Sequence, residues 1–134
     1  MFDTLDIGAS GLLAQRVRMD TIAANVANVN TTHNAAGQKV PYRRRFATLM
    51  AGRPEEPSKA GVRVDEIRQD TSPFQKRYDP GHPDADAQGF VQYPNIDLAF
   101  EMVNMMEASR AYEANVNAME VSKAMINASL RLIA

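Results

Sequence analysis

Apolar positions recur at helical spacing at both ends of this chain and lose that spacing in the middle. Leu98, Met102, Met105, Ser109, Tyr112, Val116, Met119, Lys123, Ile126, Leu130 and Ile133 step by four and three, and nine of the eleven are apolar. Such stepping is coiled-coil patterning. No Gly or Pro follows Pro94, and Asp97 stands where a cap is needed, so one helix of about 57 Å is predicted.

At the other end Leu5, Leu12, Met19 and Val26 recur at intervals of seven, and Ile22 and Val29 follow two of them by three. A helix from Thr4 to about Val29, roughly 39 Å long, is predicted. Thr4 or Asp3 can cap it, with Asp6 near its positive end. Gly8, Ala9, Ser10, Gly11 and Ala14 crowd its first half. Glycine weakens a helix, so that concentration implies that something packs very close there.

Two long amphipathic helices at opposite ends of a short chain can cover one another if the middle loops out. The expected fold class is α+β: a coiled-coil-like hairpin of terminal helices with a small β-rich insert. The expected divisions are residues 1–36, 37–95 and 96–134. A two-stranded seam leaves Val103, Met106, Ala118 and Val121 uncovered, and neighbouring subunits are expected to cover them. The middle holds six of the seven prolines before Pro94 and five of the seven glycines, which excludes long helices. Short strands are expected around Val62, Val64 and Ile67, between Phe74 and Tyr78, and at Phe90, Val91 and Tyr93. Arg53 to Lys59 reads as an exposed loop.

Composition narrows the function. The 134 residues suit one domain with one small core, and no apolar run approaches the 18 to 20 residues or so that a membrane helix needs. The first residues lack the basic stretch of a cleaved secretory signal. Cysteine is absent, which removes disulfides, thiol nucleophiles and thiolate metal sites. Net charge is −1, yet Gly37 to Tyr78 holds ten Lys/Arg against five Asp/Glu, leaving five against eleven elsewhere. A basic middle with acidic flanks suits subunits that meet through complementary faces, and nucleic-acid binding is the alternative from another class.

Candidate chemistry is sparse. Asp79 to Asp86 gathers three carboxylates and His82, and Asp84, Asp86, Gln88 and Gly89 imitate part of a calcium loop. The imitation fails where Asn95 stands in place of the closing glutamate, so Pro80, Gly81 and Pro83 make the segment a rigid turn. His33 and His82 are the only histidines, and no catalytic triad can be assembled. Arg43, Arg44 and Arg45, between Tyr42 and Phe46, read as a solvated face or a protein contact. No cofactor, metal or catalytic residue is expected. Eight methionines, five of them in the C-terminal helix, suit a surface that meets several non-identical neighbours.

Certain runs carry a resemblance. Ile22-Ala-Ala-Asn-Val-Ala-Asn-Val-Asn-Thr31 resembles the end of the first helix in flagellar rod and hook proteins, and Glu101-Met-Val-Asn-Met105 with Arg110-Ala-Tyr-Glu-Ala-Asn115 resembles their second helix. Tyr78-Asp-Pro-Gly-His-Pro-Asp-Ala-Asp86, Gly89-Phe-Val91 and Pro94-Asn-Ile-Asp97 are similar to proximal-rod members in particular. The residues carrying it include Asn25, Asn28, Asn30, Thr31, Pro80, Gly81, Pro83, Asn95, Asp97 and Glu101.

The resemblance implies a structural subunit of a hollow periplasmic drive shaft, exported by the flagellar type III apparatus without signal cleavage. Its implied partners are copies of itself, other proximal-rod subunits, the distal rod protein and the basal adaptor protein. A distal-rod or hook-type subunit is the alternative within the class. Asn25, Asn28, Asn30 and Thr31 are expected to stop the first helix through side-chain to backbone bonds.

Overall fold

The computed structural model describes residues 2–52 and 60–133, so the expected loop from Arg53 to Lys59 lies outside the described residues. Helix α1 spans Phe2–Ala27 and helix α2 spans Leu98–Ile133. Asp3 therefore lies inside the first turn of α1 rather than capping it. That helix ends where the Asn28 side chain donates to the Ala24 carbonyl at 2.8 Å, and Thr31 Oγ1 then donates to Asn28 Oδ1. At the start of α2, Asp97 Oδ1 accepts the backbone N–H of Ala99 at 3.0 Å, satisfying a donor that has no partner inside the helix.

Among the described residues, four strands form two separate two-stranded antiparallel sheets between the helices. β1 (Arg45–Ala51) pairs with β2 (Val62–Gln69), and β3 (Gln75–Tyr78) pairs with β4 (Phe90–Tyr93). Arg45 faces Gln69 and Ala51 faces Val62, with one register shift between Thr48 and Leu49. β1 is unexpected from sequence, because its first residue closes the arginine run and masks the short alternation that comes after it.

The helices run antiparallel. Arg18 bonds Glu107 and Asn25 bonds Glu101, while Gly8 lies against Met119 and Gly11 against Asn115. Approach is so close at the glycines that a Cβ on Gly8 would fall 2.5 Å from Met119 Cγ, and one on Gly11 2.9 Å from Asn115 Nδ2. Continuing that register leaves about eight residues of α2 beyond the start of α1, an overhang of about 12 Å.

The face that α2 turns inward differs from the expected one. Glu101, Met105, Ala108, Tyr112, Asn115, Met119, Ser122, Ile126 and Ser129 are all buried or half-buried. Of the expected row, Met105, Tyr112, Met119 and Ile126 belong to this face, and Ser109 and Val116 are half-buried beside it. Leu98, Met102, Leu130 and Ile133 are exposed, Met102 at 54% and Ile133 at 82%.

One flank of the seam is thus shifted by one residue, onto small and polar side chains. Small residues permit the close approach at Gly8 and Gly11. Ser122 and Ser129 satisfy their hydroxyls on the Ala118 and Met125 carbonyls one turn back, so they need no partner across the seam. Leu130 and Ile133 stand on the overhang, where α1 has ended.

On α1 the deepest residues are Gly11, Ala14, Thr21, Ile22 and Asn25, and Leu5, Leu12, Met19 and Val26 are half-buried. The buried apolar residues Ala14, Ile22, Val91, Ile96 and Ala108 lie on both helices, β4 and the link into α2. Both long helices therefore keep large apolar side chains in water.

Candidate functional site

Among the described residues, the most buried charge organises the junction between the helix pair and the sheets. Glu101, in the first turn of α2, has no exposed surface. Arg44 Nε donates to Glu101 Oε1 at 2.5 Å and Asn25 Nδ2 donates to Oε2 at 3.1 Å. Each carboxylate oxygen thus has a donor, which an ion removed from water requires.

Asn25 itself is fully buried and makes a two-way contact with β1: Nδ2 also donates to the Arg45 carbonyl at 2.7 Å, and Oδ1 accepts the Arg45 N–H at 2.9 Å. A side chain near the end of α1 thereby mimics a neighbouring strand. Asn95 does the same from the link before α2, accepting the Arg44 N–H at 3.0 Å and donating to the carbonyls of Asp70 and Ser72. The Asp70 carboxylate lies 3.4 Å from the Arg44 guanidinium. Hydrogen bonds from the Ser72 side chain and backbone hold its carboxyl below the usual carboxylate range, and Arg44 adds to the effect.

Asn25, Asn95 and Glu101, three residues of the resemblance, are therefore brought together, with Asp97 capping the adjacent helix. Asn25 does not act as a helix stop, since its side chain is spent on β1 and α2. Asn30 is exposed beyond Asn28. Sequence reasoning does not single out Arg44 or Asp70. Of three successive arginines only the middle one sends its side chain to Glu101, and a two-residue period along an extended segment is the signal that separates it from its neighbours.

A second junction pins the turn segment. Asp84 Oδ2 accepts from Thr32 Oγ1 at 2.5 Å and lies 3.1 Å from His33 Nδ1, joining the turn at Pro80–Pro83 to the segment after α1. Thr32, and then His33, hold the Asp84 carboxyl below its ordinary value. Asp86 Oδ1 accepts the N–H groups of Gln88 and Phe90, and the Phe90 bond leads in lowering its pKa. Both carboxylates are engaged by protein donors. Gly81 is exposed, and Gly89 holds φ 82°, a conformation that favours glycine, where a Cβ would fall 2.9 Å from the Tyr78 ring.

The third feature is the outer face of α2. Phe100, Met102, Val103 and Met106 in its first turns, with Val121, Met125 and Leu132 further along, are each more than half exposed. Large apolar groups concentrated on one helix mark a surface made for contact.

The three features are thus a charged tie under the hairpin, a pinned outer turn and an exposed apolar face. Residues 5–34 match the family model "Flagella basal body rod protein", and residues 87–132 match "Flagellar basal body rod FlgEFG protein C-terminal". The class is that of flagellar basal-body rod proteins. The chain is 41% identical to the flagellar basal-body rod protein FlgC of Bacillus subtilis, over 98% of this chain and 97% of that one. It is 42% identical to FlgC of Aquifex aeolicus (92% and 90% covered) and 36% identical to FlgC of Salmonella typhimurium (98% and 97% covered). The chain belongs to the FlgC family of flagellar basal-body rod proteins.

Proposed function

We propose that the protein is a structural subunit of the flagellar proximal rod, which builds a hollow shaft with other rod proteins and transmits torque. It works by packing, not by catalysis. The observation that carries this reading is similarity to FlgC rod proteins along nearly the whole chain, joined to helices that leave their large apolar residues in water.

In this reading residues 1–36 and 96–134 form the tube-building unit as a coiled-coil-like hairpin, and residues 37–95 form the outer insert. Met105, Tyr112, Met119 and Ile126 with Leu5, Leu12, Met19, Ile22 and Val26 hold the hairpin together. Leu98, Met102, Val116, Leu130 and Ile133 meet neighbouring subunits. Those neighbours are copies of the chain, other proximal-rod subunits, the distal rod protein and the basal adaptor protein. The subunit reaches the periplasm through the flagellar type III export apparatus without loss of a signal peptide. Among the described residues no helix is long and apolar enough to cross a bilayer.

Purified basal bodies test this directly. The intact, uncleaved chain should copurify with the rod, and deleting its gene should abolish motility. A motile deletion strain, or basal bodies lacking the chain, would refute the proposal.

A further inference from the structure

The three arginines that sequence treats as one patch have three different fates. Arg44 is consumed by Glu101. The Arg43 guanidinium donates to the carbonyls of Asp70 and Ser72 and stacks 4.3 Å from the centre of the Phe74 ring. Arg45 uses only its backbone in the junction, and its guanidinium lies 5.5 Å over the Tyr42 ring. Among the described residues no carboxylate comes within ion-pair distance of Arg43 or Arg45.

Both arginines border a cleft of about 490 Å³ between the segment after α1, the approach to β1 and the end of β2. His33, Tyr42 and Phe74 also line it, and its lining contains no aspartate or glutamate. Val40, 51% exposed, adds an apolar surface beside the charge. A guanidinium held over an aromatic ring is preorganised and weakly hydrated, which suits it to a carboxylate brought by another chain.

We propose that this cleft is the docking site for an acidic segment of a neighbouring rod subunit, one carboxylate pairing with Arg45 while an adjacent apolar side chain packs on Val40 and Tyr42. The proposal rests on the rod reading and adds to it a partner chemistry and a place. A basic middle region in a chain whose remainder is acidic fits a contact of this kind, in which opposite charge sets register and choice of partner.

The test uses the full purified chain and a capped octapeptide of four aspartates, two leucines and two serines, followed by titration calorimetry. A matched peptide with asparagine for aspartate is the control. Arg77 supplies the protein control, since it too lies over a tyrosine, 4.8 Å from the Tyr93 ring, but outside the cleft. Saturable binding of the aspartate peptide is expected, weakened at least about tenfold by Arg45→Glu and by less than about twofold by Arg77→Glu, and falling with added salt. Arg45→Gln, which keeps the backbone bonds to Asn25, serves if Arg45→Glu does not fold. Equal binding of the asparagine peptide, equal loss in Arg77→Glu, or no saturation would overturn the proposal. Absence of the wild-type chain from purified rods would overturn the rod reading instead, whatever the peptide does.

Discussion

Arg44 Nε and Glu101 Oε1 meet at 2.5 Å, joining the residue before β1 to the first turn of α2 across a gap of 57 positions in the chain. The glutamate has no exposed surface and the arginine side chain little, so neither charge can be left alone there without a penalty. Replacing Arg44 by Met should destabilise the chain by about 3 kcal/mol, since an unpaired buried carboxylate remains. Adding Glu101→Leu should recover much of the loss, because the uncompensated charge is then gone. Urea midpoints of the two variants check this, and equal midpoints for Arg44→Met and wild type would contradict it.

Close helix approach makes a second demand. Gly8→Val should cost about 1–3 kcal/mol, since its Cβ would lie far inside van der Waals contact with Met119 Cγ. Met119→Ala in the same chain should restore part of that stability by removing the obstructing atoms. A double-mutant cycle on urea midpoints measures the coupling, and additive effects would show that the two residues do not meet.

Acid should loosen the junctions in a defined direction. Asp70, Asp84 and Asp86 titrate below their unfolded value when folded. Their contribution is complete above the unfolded pKa of about 3.9 and is lost as pH falls through the lower folded values. Asp70→Asn should therefore lower the thermal midpoint at pH 7, and the gap from wild type should close as the pH falls well below 4. A gap that stayed constant down to pH 2 would refute the assignment.

Much of this architecture was legible in the chain. The four-three stepping marked α2 from Leu98 to Ile133, and its cap at Asp97 came from the same pattern. Which flank faces inward was not legible, because Glu101, Ala108, Asn115, Ser122 and Ser129 look like a solvent row until Gly11 is seen against Asn115. Apolar periodicity finds the stripe of large side chains, and here half of that stripe remains in water. The junction was hidden for a similar reason. Asn25, Asn95 and Glu101 stood out only through family resemblance, since pairing across 76 residues leaves no local pattern.

The hairpin holds itself together by one face of α2 and, in the proposed rod, meets its neighbours by another. Met119, half-buried against Gly8, lies on the first face, and Met102, 54% exposed, lies on the second. The most direct test expresses Met102→Asp and Met119→Asp in place of the wild-type chain and compares the exported protein with the amount in purified basal bodies. Met102→Asp should be exported at near wild-type level, fold normally when purified, and be absent from the rod. Met119→Asp should be scarce, because the subunit itself is weakened. Normal rods containing Met102→Asp would contradict the account.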